Sequence, residues 1–197
     1  MSKIKVLNSE NIKELLDMNM AIKAVENAYM QKNNNMADVW PLVFYEYEHN
    51  VFDLDIRSGN LKNDNAYGLK LISYNENNSK FNLPKVYATS LVFDAHTGEP
   101  IALLNASPIT SYRTGASAGI GAKYLARKES KNLLVVGAGN IALYSIVAIL
   151  ITMPNIQNVY ICNPNNSEGL KDRVTIIKNE VSKILEKSLY LLIPLNY

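Results

Sequence analysis

The amino-acid sequence predicts an α/β protein in which a mixed sheet with helices comes first and alternating strands and helices follow. Residues 40–104 supply several short β-prone segments separated by turn residues. Residues 132–187 alternate apolar, strand-like runs with segments of helical periodicity. Between these regions, residues 107–127 carry small residues at close intervals, which suits a helix packed tightly against another element.

Composition narrows the class of protein. The chain has 197 residues, of which 48% are hydrophobic and 19% charged, as in ordinary globular proteins. The net charge of +2 comes from 20 basic and 18 acidic residues without a long block of either sign, so nucleic acid is not an expected partner. Cys162 is the only cysteine, which excludes an intramolecular disulfide, and no Cys/His spacing suggests a metal site.

The hydropathy of the N-terminus and of the longest apolar run indicates a cytoplasmic protein. The first 16 residues are polar and lack the apolar core of a signal peptide. The longest apolar run, Ile141–Met153, is too short to span a bilayer. We therefore expect no membrane segment and a reducing compartment.

The first half of the chain reads as two helices followed by a mixed or antiparallel sheet. A helix from Ser9 to Leu16 is followed by a second from Met20 to Gln31 with an i, i+3, i+7 apolar stripe. The β-prone segments are WPLVFYEYE, NVFDLDI, YGLKLISYN, KVYATSLVFD and EPIALLNA, and the turn signals between them are Ser58-Gly59-Asn60, Asn75–Ser79 and Thr97–Pro100.

The second half reads as a βαβα unit. We expect a buried strand at Asn132–Gly137, a helix at Asn140–Met153, a strand at Asn158–Cys162 and a long amphipathic helix at Ser167–Lys187. A final apolar piece, Leu189–Ile193, is a candidate for a third strand.

The turn between the first of these strands and its helix has the spacing of a phosphate-binding loop. In GAGNIA, Gly137, Gly139 and Ala142 occupy the positions of G-x-G-x-x-G/A. The first glycine permits the tight turn, the second lets a phosphate approach the backbone, and the small third residue lets helix and strand pack closely. The N–H groups at the helix start would bind a diphosphate. This predicts an incomplete Rossmann dinucleotide-binding unit, with a purely structural turn as the alternative.

Asn163 leaves the choice between NAD and NADP open. It ends the second strand, where a carboxylate usually accepts the ribose hydroxyls and repels a 2′-phosphate. Asparagine does not repel a phosphate, but no arginine directly follows it, and Lys171 and Arg173 are the next basic residues. The alternative for Asn163 is a solvated turn residue before Pro164.

Three stretches of the middle of the chain carry further motifs: GLKLIS (68–73), NLPKVYATSLVFDAHTGEPIALLNASPITSYRTGASAGIGAKYLAR (82–127) and LLVVGAGNIA (133–142). Their G-x-K, D-x-x-T-G-E-P, R-T-x-A and glycine turn, in this order, resemble the ornithine cyclodeaminase/mu-crystallin family. The resemblance covers most of residues 18–187. It implies a substrate-binding and dimerisation domain at 1–112, a partial Rossmann NAD(P)-binding domain at 113–197 whose likeness fades after about 187, and a homodimer.

The resemblance also implies site residues. Lys70 and Arg113 would bind the carboxylate of an amino acid, for which a guanidinium and an ammonium are suited; surface ion pairs are the alternative. Thr114 would reach the cofactor phosphates, or else cap a helix. Asn140 and Ile141 would contact the cofactor, Ile141 only through its backbone N–H because it replaces a glutamine of the family.

Two further positions in the first half of the chain depart from the family pattern. The family often supplies an arginine near the segment that here reads WPLVFYE, and Arg57 in DLDIRSG is the candidate to replace it. Lys85 stands where some members carry a threonine near the nicotinamide ribose.

The activity implied by the resemblance is NAD(P)-dependent chemistry on a small amino acid or imine, with conversion of L-ornithine to L-proline and ammonia as the lead reaction. The family's acid/base aspartate belongs to a part of the nucleotide domain beyond residue 197, so we expect a truncated, inactive form and assign no catalytic residue. The alternative is a noncatalytic NAD(P)- or small-ligand-binding protein of the mu-crystallin type.

Overall fold

The computed structural model describes residues 3–163, 169–185 and 192–195. The chain folds into two compact units. The first unit consists of Met1–Leu16 and Asn27–Thr110, and the second of Asp17–Glu26 and Ser111–Tyr197.

The sheet of the first unit is mixed, as the sequence predicts. Its strand order is β1-β7-β6-β5-β4-β2, with β3 also paired to β4. Strand β1 runs parallel to β7, and the pairs from β4 to β7 are antiparallel. The strands are β1 Lys5–Leu7, β2 Ala37–Val39, β3 Val43–Glu48, β4 Phe52–Leu61, β5 Ala66–Asn75, β6 Val86–Asp94 and β7 Pro100–Asn105.

The predicted turn at Ser58-Gly59-Asn60 is wrong, because these residues lie inside β4. Gly59 pairs with Gly68 of β5. A Cβ on Gly59 would lie 2.4 Å from the carbonyl oxygen of Asp38, so this glycine permits a close approach of β2 and makes no turn. The turn of the β4–β5 hairpin lies instead between Leu61 and Ala66, and Asn65 in this turn has φ 48°.

The predicted turn at Thr97–Pro100 is confirmed by its hydrogen bonds. The Asp94 carboxylate accepts the backbone N–H groups of His96 and Thr97, each at 2.8 Å. These bonds lower the pKa of the Asp94 carboxyl from its ordinary value of 3.8. Asp94 is therefore committed to the turn between β6 and β7.

Helices α1 and α2 occupy the predicted regions with shifted ends. Helix α1 is Ser9–Leu15, and its N-cap is Asn8, which forms a capping box with Asn11. Helix α2 is Met18–Asn33. Strand β1 was not predicted, since three residues are too few to show a period of two.

The second unit carries a three-stranded parallel sheet in the order β10-β9-β8. The predicted elements are present as β8 Asn132–Val136, helix α4 Asn140–Thr152, β9 Asn158–Cys162, helix α5 Leu170–Leu185 and β10 Leu192–Leu195. The third strand thus lies slightly beyond the predicted Leu189–Ile193, of which residues 189–191 are outside the described part. This alternation of parallel strands and helices is Rossmann-like.

Helix α3, Ser107–Leu125, packs tightly as its small residues predict. A Cβ on Gly115 would lie 2.5 Å from the carbonyl carbon of Tyr144, and one on Gly119 would lie 2.8 Å from the carbonyl oxygen of Ala148. Both neighbours belong to α4, whose Ala148 is fully buried. The glycines therefore set the close spacing of α3 and α4.

Two features are missing from the residues that the structure describes. None of their helices is both long and apolar enough to cross a bilayer. They also contain no group of three or more His, Cys, Asp or Glu side chains placed to hold a metal ion.

Candidate functional site

Strand register in the first unit aligns polar side chains on one face of the sheet. Arg57 of β4 lies directly opposite Lys70 of β5, and Lys70 lies opposite Ser90 of β6. Directly opposed residues in a sheet point to the same face. The structure thus brings together Lys70 and Arg57, which are 13 positions apart in the sequence.

Two like charges placed opposite each other destabilise a sheet unless an anion lies between or beside them. Arg57 has one partner of this kind, since its guanidinium binds the Asp55 carboxylate with an Nη2–Oδ2 distance of 3.0 Å. This ion pair raises the pKa of Arg57. Lys70 donates from Nζ to the hydroxyl Oγ1 of Thr110 at 3.3 Å.

A cavity of 340 Å³ opens beside this pair. Arg57 and Lys70 line one part of it, and Gly59 and Gly68 provide backbone without side chains in another part. A small carboxylate bound in this cavity could reach both cations, because both line it. Neither Thr110 nor Asp55 was predicted as a neighbour of the cations. Thr110 is 40 positions from Lys70, so this contact depends on the tertiary fold. Asp55 is only two positions before Arg57 in β4, and alternate residues of a strand share a face, so the sequence did carry this signal.

The glycine turn of the second unit has the geometry that its sequence predicts. Gly137 has φ 101°, a conformation that L side chains rarely adopt. Its N–H donates to the carbonyl oxygen of Cys162 at 2.7 Å, which joins the carboxyl ends of β8 and β9. Gly139 is the N-cap of α4 with φ −76° and ψ −177°.

This turn fits a dinucleotide diphosphate. No side chain caps the N-terminus of α4, so its first N–H groups are oriented toward an incoming acceptor. A Cβ built on Gly137 or Gly139 would meet no atom within 4 Å, which shows that the space in front of the turn is open. An anionic group can therefore approach the backbone at both glycines.

Two side chains hold the turn in place, one from α3 and one from α5. Asn140 donates from Nδ2 to the hydroxyl of Ser111 at 2.9 Å, and Ser111 is only 7% exposed. Arg173 donates from Nε and Nη2 to the carbonyl oxygen of Ala138 at 3.2 and 3.1 Å. The role of Ser111 was not foreseen, because serine in a helix gives no signal of its partner.

The remaining predicted residues lie on these same elements. Arg113 is exposed and Thr114 half-buried on α3, and Asn163 is half-buried directly after β9. Ile141 is 39% exposed at the start of α4. Ala142 follows it, and its N–H donates to the carbonyl oxygen of Gly139 at 3.1 Å.

Lys85 is committed to an ion pair. Its Nζ lies 2.5 Å from the Glu76 carboxylate, which also accepts the Tyr74 hydroxyl. The bond to Glu76 raises the pKa of Lys85, and the bonds from Lys85 and Tyr74 lower the pKa of Glu76. The charge of Lys85 is therefore compensated by Glu76.

The model of the ornithine cyclodeaminase/mu-crystallin family matches residues 2–184. Alanine dehydrogenase of Archaeoglobus fulgidus is 34% identical over 144 residues, which are 73% of this chain and 44% of that protein. The chain therefore spans less than half of the length of this relative.

The fold also resembles solved structures. Thermococcus litoralis Δ1-pyrroline-2-carboxylate reductase, in complex with NADH and L-proline, matches with a TM-score of 0.84 and 29% identity over 98% of this chain and 57% of that one. An archaeal alanine dehydrogenase dimer with bound NAD matches with a TM-score of 0.82 and 28% identity, over 98% of this chain and 56% of that one.

Proposed function

The chain belongs to the ornithine cyclodeaminase/mu-crystallin family, and from this membership we propose that it binds a nicotinamide dinucleotide and acts on a small amino acid or its imine. The observation that carries the proposal is the open glycine turn, in which Gly137, Gly139 and the uncapped start of α4 face free space. Such a turn stabilises a diphosphate through backbone N–H groups and the helix dipole.

We propose the following contacts for the dinucleotide. The diphosphate lies against Gly137, Gly139 and the backbone N–H of Ile141, and Ala142 leaves room for the close packing of strand and helix. Asn140 is held for this contact by Ser111. Thr114 is a further proposed phosphate contact and Asn163 a proposed ribose contact. A bound nicotinamide would accept or donate a hydride at the substrate α-carbon.

The proposed substrate carboxylate lies between Lys70 and Arg57. The family resemblance implies Arg113 as a further carboxylate-binding residue. Support comes from the direct opposition of Arg57 and Lys70 across β4 and β5. A carboxylate there would accept hydrogen bonds from both cations, and the guanidinium would fix its orientation. The Asp55 carboxylate, which binds Arg57, holds that guanidinium in place.

We propose neither Asp55 nor Asp94 as the acid or base for the proton transfer. Asp55 is paired with Arg57, and Asp94 is bound to its turn. We therefore assign no catalytic carboxylate to this chain. Reduction of a cyclic imine to proline is the simplest proposed reaction, and cyclisation of L-ornithine to L-proline with loss of ammonia is the second, since both transfer hydride at an α-carbon.

We further propose that the chain forms a homodimer in the cytoplasm. The face of the first sheet opposite Lys70 carries a cross-strand row of Leu69, Leu91 and Leu103, all only half-buried. Ile56 and Leu71 extend this apolar row. A second copy would cover such a face, and the archaeal alanine dehydrogenase neighbour is a dimer.

The test combines binding with turnover. Titration of the purified chain with NADH and NADPH, followed by nucleotide fluorescence, should give saturable binding with a rise in melting temperature. With the reduced dinucleotide and Δ1-pyrroline-2-carboxylate, absorbance at the reduced nicotinamide band should fall; with the oxidised dinucleotide and L-proline or L-alanine, it should rise. Conversion of L-ornithine to L-proline returns the hydride to the imine, so it is followed by the release of ammonia. Binding without turnover would favour the noncatalytic alternative. A folded sample that binds neither dinucleotide would overturn the proposal.

A further inference from the structure

Arg173 contacts the glycine turn at the carboxyl edge of the second sheet. Its Nε and Nη2 both donate to the carbonyl oxygen of Ala138, which lies between the two glycines of the turn. These bonds use two of the five N–H donors of a guanidinium. Among residues 3–163, 169–185 and 192–195, no carboxylate forms an ion pair with Arg173. The exposed guanidinium therefore places an uncompensated positive charge beside the turn.

The C-terminal end of β9 lies next to the same glycine turn. The Gly137 N–H binds the carbonyl oxygen of Cys162 at 2.7 Å, and Asn163 follows Cys162 directly. In a dinucleotide fold the residue at this strand end reads the adenosine ribose. A carboxylate there accepts the 2′-hydroxyl and repels a 2′-phosphate, whereas the neutral amide of Asn163 repels neither.

The two observations point to one ligand chemistry. A 2′-phosphate carries close to two negative charges and three acceptor oxygens, and a guanidinium matches it with paired N–H donors. A ribose 2′-hydroxyl gains little from the same guanidinium, because it carries no charge. The position of Arg173 therefore favours the phosphorylated dinucleotide.

We propose that Arg173, together with Asn163, makes the nucleotide site select a dinucleotide that carries a 2′-phosphate, so that the chain binds NADPH in preference to NADH. This inference rests on the proposed function. Two of the solved structures that the chain resembles contain NADH or NAD.

The experiment measures the dissociation constants of NADPH and NADH by calorimetry or nucleotide fluorescence, without substrate. The main variant is Arg173→Gln, because its side-chain amide can still donate to the Ala138 carbonyl while the charge is removed. Lys178→Gln is the matched control, since Lys178 is an exposed cation farther along the same helix. Arg173→Lys tests whether the charge alone suffices.

The wild-type chain should bind NADPH about tenfold or more tightly than NADH at low salt, as expected for a hydrogen bond to a charged group. Arg173→Gln should weaken NADPH binding by about tenfold to a hundredfold and change NADH binding by less than about twofold. Lys178→Gln should leave both unchanged, and added salt should reduce the preference for NADPH in the wild type.

Three outcomes would overturn the inference. Equal or tighter binding of NADH by the wild type would remove the preference itself. An equal loss of both dinucleotides in Arg173→Gln, with a lower melting temperature, would show that Arg173 only supports the turn. Binding of NADH with no binding of NADPH would leave the proposed function intact and refute the selection, whereas binding of neither would refute the proposed function itself.

Discussion

Replacing Gly139 by alanine should separate folding from dinucleotide binding. The backbone at Gly139, with φ −76° and ψ −177°, is open to any L residue, and the added methyl group would meet no atom within 4 Å. The change should therefore cause no clash. The unfolded chain loses freedom, which favours folding by about 0.4–1 kcal/mol, but alanine is less suited than glycine to the N-cap position by a similar amount, so the free energy of unfolding should change little.

Dinucleotide binding should weaken strongly in the same variant. A diphosphate oxygen that accepts a backbone N–H lies about 2.7–2.9 Å from the nitrogen, whereas a methyl carbon keeps neighbours at about 3.5–4.0 Å. The methyl group would displace the diphosphate by roughly 1 Å and break its bonds to the turn. Two lost charge-assisted bonds, each worth about 1.5–3 kcal/mol, correspond to a loss of at least about a hundredfold in affinity.

The assay is a urea melt and a dinucleotide titration of the same sample, with Gly137→Ala as the comparison. Gly137 has φ 101°, so its replacement should also cost about 1–3 kcal/mol of folding stability. Gly139→Ala should leave the urea midpoint nearly unchanged, whereas Gly137→Ala should lower it. Wild-type affinity in folded Gly139→Ala would refute the assignment of this turn as the diphosphate site.

Three further predictions concern packing, pH and the cation pair. In α3, Gly119→Ala should lower the free energy of unfolding by about 2 kcal/mol, because the new Cβ would lie 2.8 Å from a backbone oxygen. Gly121→Ala should raise the free energy of unfolding by about 0.5–1 kcal/mol, because its Cβ would meet nothing within 4 Å. Equal effects of the two variants in urea melts would contradict the close packing of α3 at Gly119. The bonds of Glu26 to Lys123 and Tyr124 lower the pKa of Glu26 from 4.5, so its contribution to stability is fully present above pH 4.5 and is lost as the pH falls through the lower pKa of the folded state. Glu26→Gln should therefore make the urea midpoint depend less on pH over this acid range. A pH profile identical to that of the wild type would contradict this role of Glu26. Arg57→Gln should weaken binding of L-proline to the dinucleotide complex about tenfold or more while dinucleotide affinity stays unchanged, as calorimetry would show; unaltered L-proline binding would remove Arg57 from the carboxylate site.

The sequence by itself determined the local parts of this protein. The glycine turn between β8 and α4, and the Asp94 turn, depend on residues within a few positions of one another, and both were predicted correctly. Small residues along α3 also predicted close packing, although they did not identify α4 as the neighbour. These features are local because a turn or a helix face is specified by neighbouring residues.

Only the tertiary structure decided which distant residues meet. Strand register places Arg57 opposite Lys70, and a shift of one residue would send every side chain of one strand to the other face. The same register keeps Gly59 inside a strand, although its neighbours resemble a turn. The contact of Arg173 with Ala138 likewise joins residues 35 positions apart, which no local pattern encodes.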